Sequence, residues 1–138
     1  MSKETLVNAI KTIHTQAREG RLDEAYAGYQ ELFSSAEFAT HRPEDQRQAL
    51  RLMIFAKGVP SNPTPAMLEA HRAALAPLTE LVSVHKDAAD HEMLGICHVV
   101  LGNEESASAI FRAGLAIERE RNPSSDLCGA FMKRISLL

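Results

Sequence analysis

The sequence lacks several features that would point to particular classes of protein. It contains no tryptophan, and only 5% of its 138 residues are aromatic, so it offers few ring surfaces on which nucleic-acid bases could stack. Its net charge is −3, which leaves no basic excess for binding a phosphate backbone. No apolar run reaches the roughly 18 residues that a membrane span needs. These absences disfavour a nucleic-acid-binding or membrane-spanning protein.

Cysteine is also scarce. The two cysteines, Cys97 and Cys128, could form at most one disulfide. Residues 1–5 begin a polar helix and lack the apolar segment of a signal peptide. Cysteines in a chain without a secretion signal are usually reduced. We therefore expect free thiols and a cytoplasmic location.

Apolar residues recur at three- and four-residue steps along most of the chain, which is typical of amphipathic helices. Thr64 and Asp87 stand where they can cap helices, and Pro77 should kink or divide the helix that contains it. We predict an all-α protein without strands. The expected helices cover about residues 3–19, 22–35, 43–57, 65–85, 88–101, 104–121 and 124–137.

A short pattern occurs twice: a glycine, an alanine five positions later and an aromatic residue four positions after that. Its two copies are Gly20, Ala25, Tyr29 and Gly102, Ala107, Phe111. A turn glycine followed by a small and then an aromatic residue is what a tight helical hairpin needs. Two such hairpins in one chain indicate a helical-repeat protein.

This pattern resembles the tetratricopeptide repeat family, most closely over residues 88–121. The residues at the family's signature spacing are Leu94, Gly95, Gly102, Ala107 and Phe111. Gly114 replaces the usual alanine, and the closing proline is delayed to Pro123. The first hairpin has Thr12 and Ile13 where the Leu-Gly pair belongs.

The resemblance implies three antiparallel helix hairpins, stacked as a short right-handed superhelix and closed by a C-terminal capping helix. The hairpins would cover about residues 3–35, 43–85 and 88–121, and the capping helix about 124–137, within a single domain of residues 1–138. Stacking is also physically required, because one hairpin cannot bury its own apolar face. The alternative is an ordinary α-helical bundle whose turns share glycine and alanine.

In this family, the first helix of each hairpin lines a concave groove that binds a partner. The matching positions here are Val7, Ile10, His14, Arg18, Gln48, Leu52, Phe55, Glu92, Ile96 and Val99. The lining is mostly apolar, which suits an amphipathic helix or an extended hydrophobic peptide. The clamp of lysines and asparagines that some members use for a carboxylate is missing, since Ile10, His14, Ala89 and Met93 stand there. Alternatively, these residues pack internally or the C-terminal helix fills the groove.

Other polar residues give weaker signals. Arg47 and Arg51 lie one turn apart, either as a solvated ion-pairing face or as a site for an acidic partner. His91 and His98 share a helix face beside Cys97, but they lack the adjacent-turn spacing of a strong metal site. No phosphate loop, HExxH motif or nucleophile elbow occurs.

We therefore predict a non-enzymatic interaction module, without cofactor or metal, that binds a peptide or helix of a partner protein. Nucleic acid and membrane are not expected as partners. The alternative is a self-associating structural or regulatory subunit. In that case the apolar end of the chain, Ile135 to Leu138, would pair two copies as a homodimer.

Overall fold

The computed structural model describes residues 2–138, and these residues form helices and connecting segments without any strand. The helices are α1 (Lys3–Arg18), α2 (Leu22–Ser34), α3 (Pro43–Ile54), α4 (Pro65–His85), α5 (Ala88–Val100), α6 (Glu104–Arg121) and α7 (Asp126–Ser136). A short 3-10 helix, Phe38–Thr40, lies between α2 and α3. The prediction of an all-α protein is confirmed, whereas the superhelical stacking of hairpins stays a prediction.

Local chemistry explains where the helices begin. The Thr64 hydroxyl accepts a hydrogen bond from the Met67 N–H at 3.2 Å, and the Asp87 carboxylate accepts one from the Ala89 N–H at 2.9 Å. Both predicted caps are thus confirmed. α7 begins at Asp126, two residues later than expected, because the Ser125 hydroxyl caps it by accepting from the Cys128 N–H at 3.3 Å.

A further predicted helix boundary differs from the structure. α3 ends at Ile54 rather than near Lys57, since Phe55 already has non-helical backbone angles. α4 covers the expected range as one helix with Pro77 inside it, so of the two alternatives at Pro77 a division does not occur. A proline in a helix interior costs about 3 kcal/mol through its missing N–H and its ring. Buried Ala74 and Leu78 on either side favour continuing the helix in spite of that cost.

The chain divides into two compact units, and the boundary falls between Pro77 and Leu78. In the first unit, which ends at Pro77, α1 packs against α2. In the second unit, Leu78–Leu138, α5 packs against α6 and α6 packs against α7. The first and third predicted hairpins are therefore packed helix pairs, each joined at a glycine with positive φ, Gly20 and Gly102. The prediction of a single domain stays a prediction.

Close packing in the second unit depends on two glycines. A Cβ atom on Gly95 of α5 would overlap the Phe111 ring of α6. A Cβ on Gly114 of α6 would lie 2.6 Å from the Cζ atom of Phe131 on α7. These aromatic rings lie in a cluster, here called the second-unit core, of Ala88, Ala107, Phe111, Leu115, Cys128 and Phe131. The residues that carry the family resemblance thus make the contacts between helices.

The first unit packs its hairpin differently. Here the glycine is Gly28 on α2, and a Cβ added to it would lie 2.8 Å from the Cγ1 atom of Ile13 on α1. The aromatic residues of α2 and the 3-10 helix form a row. The Tyr29 and Phe33 rings stack with centroids 5.6 Å apart, and Phe38 meets Phe33 edge-on at 5.2 Å.

Candidate functional site

The first unit carries a cleft of about 470 Å³ between α1, α2, α3 and the segment that follows α3. Its floor is made of buried side chains. These are Ile13, Ala25, Tyr26, Tyr29 and Met53. The remaining lining residues are His14, Ala17, Leu22, Arg51, Leu52, Phe55, Ala56, Lys57, Gly58 and Val59. A volume of this size is within the range of pockets that hold ligands or several side chains of a peptide.

A second depression, of about 430 Å³, adjoins the cleft along α1. Its lining residues are Ile10, Lys11, His14, Thr15, Arg18 and Leu52. Because His14 and Leu52 line both depressions, the two form one continuous surface, here called the first-unit groove. Among the seven predicted groove residues of this unit, only Val7 and Gln48 lie outside the groove, and both are exposed.

The three predicted groove residues of the second unit have different surroundings. The Glu92 carboxylate accepts a hydrogen bond from the Arg134 guanidinium of α7 at 3.0 Å. Ile96 is half-buried and packs against the second-unit core, to which α7 contributes. Only Val99, which is 42% exposed, presents most of its outer face to solvent. Two of the three are therefore already engaged within the second unit.

The floor of the cleft is uncharged. Burial raises the pKa of the Tyr26 phenol, and burial together with the neighbouring Tyr26 raises the pKa of Tyr29 to about 12. Both phenols therefore stay protonated at neutral pH. A neutral floor of two tyrosines and three aliphatic or sulfur-containing side chains favours apolar ligand groups.

The rim of the first-unit groove is cationic. Its basic side chains are Lys11, Arg18, Arg51 and Lys57. Within residues 2–138, none of these four forms an ion pair or donates a side-chain hydrogen bond. No aspartate or glutamate lines either depression. The groove thus combines an apolar floor with uncompensated positive charge.

Sequence analysis missed part of this site. Lys57 and Val59, in the segment after α3, were not among the predicted groove residues, yet both line the cleft. The available signal was Val59, an apolar residue between Gly58 and Pro60. Tyr29 was identified as the aromatic residue of the repeated pattern and not as a groove residue, and Tyr26 was not singled out, yet both form part of the floor.

The other candidate residues do not come together as a reactive site. Both cysteines are free and buried, and burial raises the pKa of the Cys97 thiol to about 12. The His91 ring contacts the Asp87 carbonyl at 2.8 Å, and the His98 ring contacts the Asn103 amide at 3.3 Å. In the part of the chain that the structure describes, no group of three or more histidine, cysteine, aspartate or glutamate residues could hold a metal ion.

Between residues 2 and 138, the structure has no helix that is both long enough and apolar enough to cross a membrane.

Comparison of the chain with known protein families, with curated proteins and with solved structures finds no match. The structure therefore defines the chain as an all-α protein. Membership of the tetratricopeptide repeat family stays a prediction that rests on the repeated glycine, alanine and aromatic residues.

Proposed function

We propose that this protein is a non-enzymatic binding module that holds an apolar segment of a partner protein in the first-unit groove. The observation that carries the proposal is the cleft of about 470 Å³ with its uncharged floor. Three residues chosen from the sequence as groove residues line this cleft: His14, Leu52 and Phe55. Apolar concavities of this kind accept an amphipathic helix or an extended peptide.

Exposed apolar side chains at the rim supply the driving force. Phe55 and Val59 are each 41% exposed, and Leu52 is half-buried. Fully burying one large apolar side chain stabilises a complex by about 1.5–3 kcal/mol. A partner segment that inserts two or three such side chains gains about 3–9 kcal/mol, which offsets part of the entropy lost on association and on ordering the peptide.

Self-association through α7 is the second candidate. Met132 and Leu137 are 47% and 75% exposed, so they could meet a second copy. Phe131, the largest apolar residue of α7, is completely buried in the second-unit core and cannot contribute to a dimer interface. A dimer would therefore have to use Met132, Leu137 and Leu138, which are exposed on α7 and just after it, and not the buried Phe131.

The experiment selects peptides of about 15 residues from a display library on the purified protein and measures their affinity by fluorescence anisotropy. Leu52→Glu places a charge where both depressions meet, and we expect it to weaken binding at least tenfold, which corresponds to about 1.4 kcal/mol. Val84→Glu is the matched control, because Val84 is 59% exposed and lies outside the groove.

Two outcomes contradict the proposal. Either no peptide is enriched on the wild-type protein, or the enriched peptides bind Leu52→Glu as tightly as Val84→Glu. Light scattering of the same samples addresses the second candidate. A dimer that becomes a monomer in Leu137→Glu favours self-association.

A further inference from the structure

The charges around the first-unit groove identify the chemistry of its occupant. We infer that the partner segment is acidic as well as apolar: an amphipathic helix whose apolar stripe is flanked by carboxylates. This inference rests on the proposed function, because it concerns the ligand of the same groove. It adds a requirement for charge, which an apolar groove alone does not impose.

The first argument is that the groove differs from the rest of the surface. The chain has a net charge of −3, and outside the groove at least six basic side chains meet carboxylates. Lys86, Arg112, Arg119 and Lys133 lie apart from one another in the sequence, without such a partner in the described part of the chain. Lys3 and Arg42 both contact Asp45, at 3.7 and 3.3 Å, and Arg72 pairs with Glu69. In contrast, none of the four cations of the groove has a carboxylate partner among residues 2–138. A concavity lined by charges of one sign concentrates the field and attracts groups of the opposite sign.

The second argument is the position of these cations relative to the apolar residues. Arg51 and Lys57 lie on the cleft, at the end of α3 and after it. Lys11 and Arg18 lie on the adjoining depression, along α1. Leu52 belongs to both, so the apolar contact lies between two cationic borders. A helix seated on Leu52 would place carboxylates toward both borders.

The spacing along α1 sharpens the inference. Lys11 and Arg18 are seven residues apart and therefore lie on one face, about 10 Å from each other along the helix axis. Carboxylates at positions i and i+7 of a partner helix have the same separation. The partner is thus expected to carry acidic residues two turns apart beside its apolar stripe.

The test uses three synthetic peptides of about 15 residues that share one apolar stripe and carry glutamate, glutamine or lysine at the flanking positions. Anisotropy titrations at low salt should rank the glutamate peptide about tenfold tighter than the glutamine peptide, with the lysine peptide weakest. In about 0.5 M salt the advantage of the glutamate peptide should shrink, because exposed charges are screened.

Charge-reversal variants show which part of the surface causes the preference for the glutamate peptide. The double variant Lys11→Glu with Arg51→Glu should lose the preference for glutamate, so that it binds the glutamine peptide at least as tightly as the glutamate peptide. The control is Arg112→Glu with Lys133→Glu, which changes the net charge equally at exposed positions outside the groove and should keep the preference. Equal loss in both double variants would overturn the inference, because the effect would then come from net charge.

The outcomes separate this inference from the proposed function. If all three peptides bind equally and Leu52→Glu abolishes binding, the groove binds apolar segments and the acidic requirement is wrong. If neither these peptides nor the library-selected ones bind, both proposals are wrong. Glutamate preference that disappears in the groove variant alone supports both.

Discussion

In each unit, one glycine lets the two helices of the hairpin approach closely. In the second unit this glycine lies on the first helix of the hairpin, and in the first unit it lies on the second helix. Gly95 of α5 receives the Phe111 ring, whereas Gly28 of α2 faces Ile13 of α1. Ile13 and Gly95 are equivalent positions, since each precedes its turn glycine by seven residues. α1 therefore offers no recess to Tyr29, the equivalent of Phe111, and Tyr29 lies in the floor of the cleft instead.

A second glycine extends the difference. Gly114 of α6 lets Phe131 approach closely, so that α7 covers the second unit. The equivalent position in the first hairpin, twelve residues after the turn glycine, is the buried Leu32. The first unit thus lacks the recess that seats α7 in the second. Two hairpins with the same turn can therefore differ in which helix face is covered, because a few positions carry a small residue in one hairpin and a large residue in the other.

The largest expected change in stability comes from a variant that tests whether α7 belongs to the second-unit core. Phe131→Ala should lower the free energy of unfolding by about 3–5 kcal/mol, because it removes a completely buried ring and leaves a cavity. Met132→Ala, at the exposed neighbouring position, should change it by no more than about 0.5 kcal/mol. Urea denaturation followed by circular dichroism measures both. Similar values for the two variants would mean that α7 does not close the second unit.

The next prediction compares the glycines that lie at the helix contacts of the two hairpins. Gly95→Ala should destabilise the protein by about 1–3 kcal/mol, because its Cβ meets an aromatic ring held between helices. Gly28→Ala should cost less, because its Cβ would overlap the Ile13 side chain less than a Cβ on Gly95 would overlap the Phe111 ring.

Gly129→Ala is the control for the two glycine variants. Gly129 lies in α7, and a Cβ there would meet no atom within 4 Å, so this variant should be neutral or slightly stabilised. Thermal unfolding of the three variants gives their order. If Gly28→Ala is less stable than Gly95→Ala, the helix contact at Gly95 is not the tighter of the two, and the described difference between the hairpins is wrong.

The smallest effect is a pH dependence that originates in the first unit. The His71 ring is buried beside Tyr26, and burial lowers its pKa although its hydrogen bond to the Met67 carbonyl acts in the opposite direction. The folded protein therefore binds a proton at His71 less readily than the unfolded chain does. Its contribution to stability is complete above the ordinary histidine pKa of about 6.5 and is lost as the pH falls below that value.

Urea midpoints between about pH 7.5 and 5 measure this dependence. His71→Phe should flatten the decrease at acid pH, and His85→Gln, at an exposed position, should leave it unchanged. If His71→Phe and the wild-type protein lose stability in parallel, His71 does not supply the pH dependence.

Much of the secondary structure could be predicted from the sequence because it depends on local chemistry. The steps between apolar residues indicated the helices, the glycines at positions 20 and 102 indicated the turns, and Thr64 and Asp87 indicated helix starts. The end of α3 was not predictable in this way, because the apolar pattern continues past Ile54 into Phe55 and Ala56.

The candidate site was only partly predictable. Family spacing selected His14, Leu52 and Phe55, which line the cleft, because residues at steps of three and four share a helix face. The same spacing selected Glu92 and Ile96, which contact other parts of the second unit. Periodicity identifies a face but does not say whether another helix covers it.

Sequence alone was enough to predict that this chain is helical, where most of its helices begin and end, and which residues share each helix face, because these properties arise from hydrogen bonds and side chains within a few residues of one another. It was not enough to predict which faces are covered. Whether a face is open depends on the fit of small residues against large ones from distant parts of the chain, as Gly114 fits Phe131 and Gly28 fits Ile13. Such fits are a property of packing in three dimensions, which no local pattern encodes.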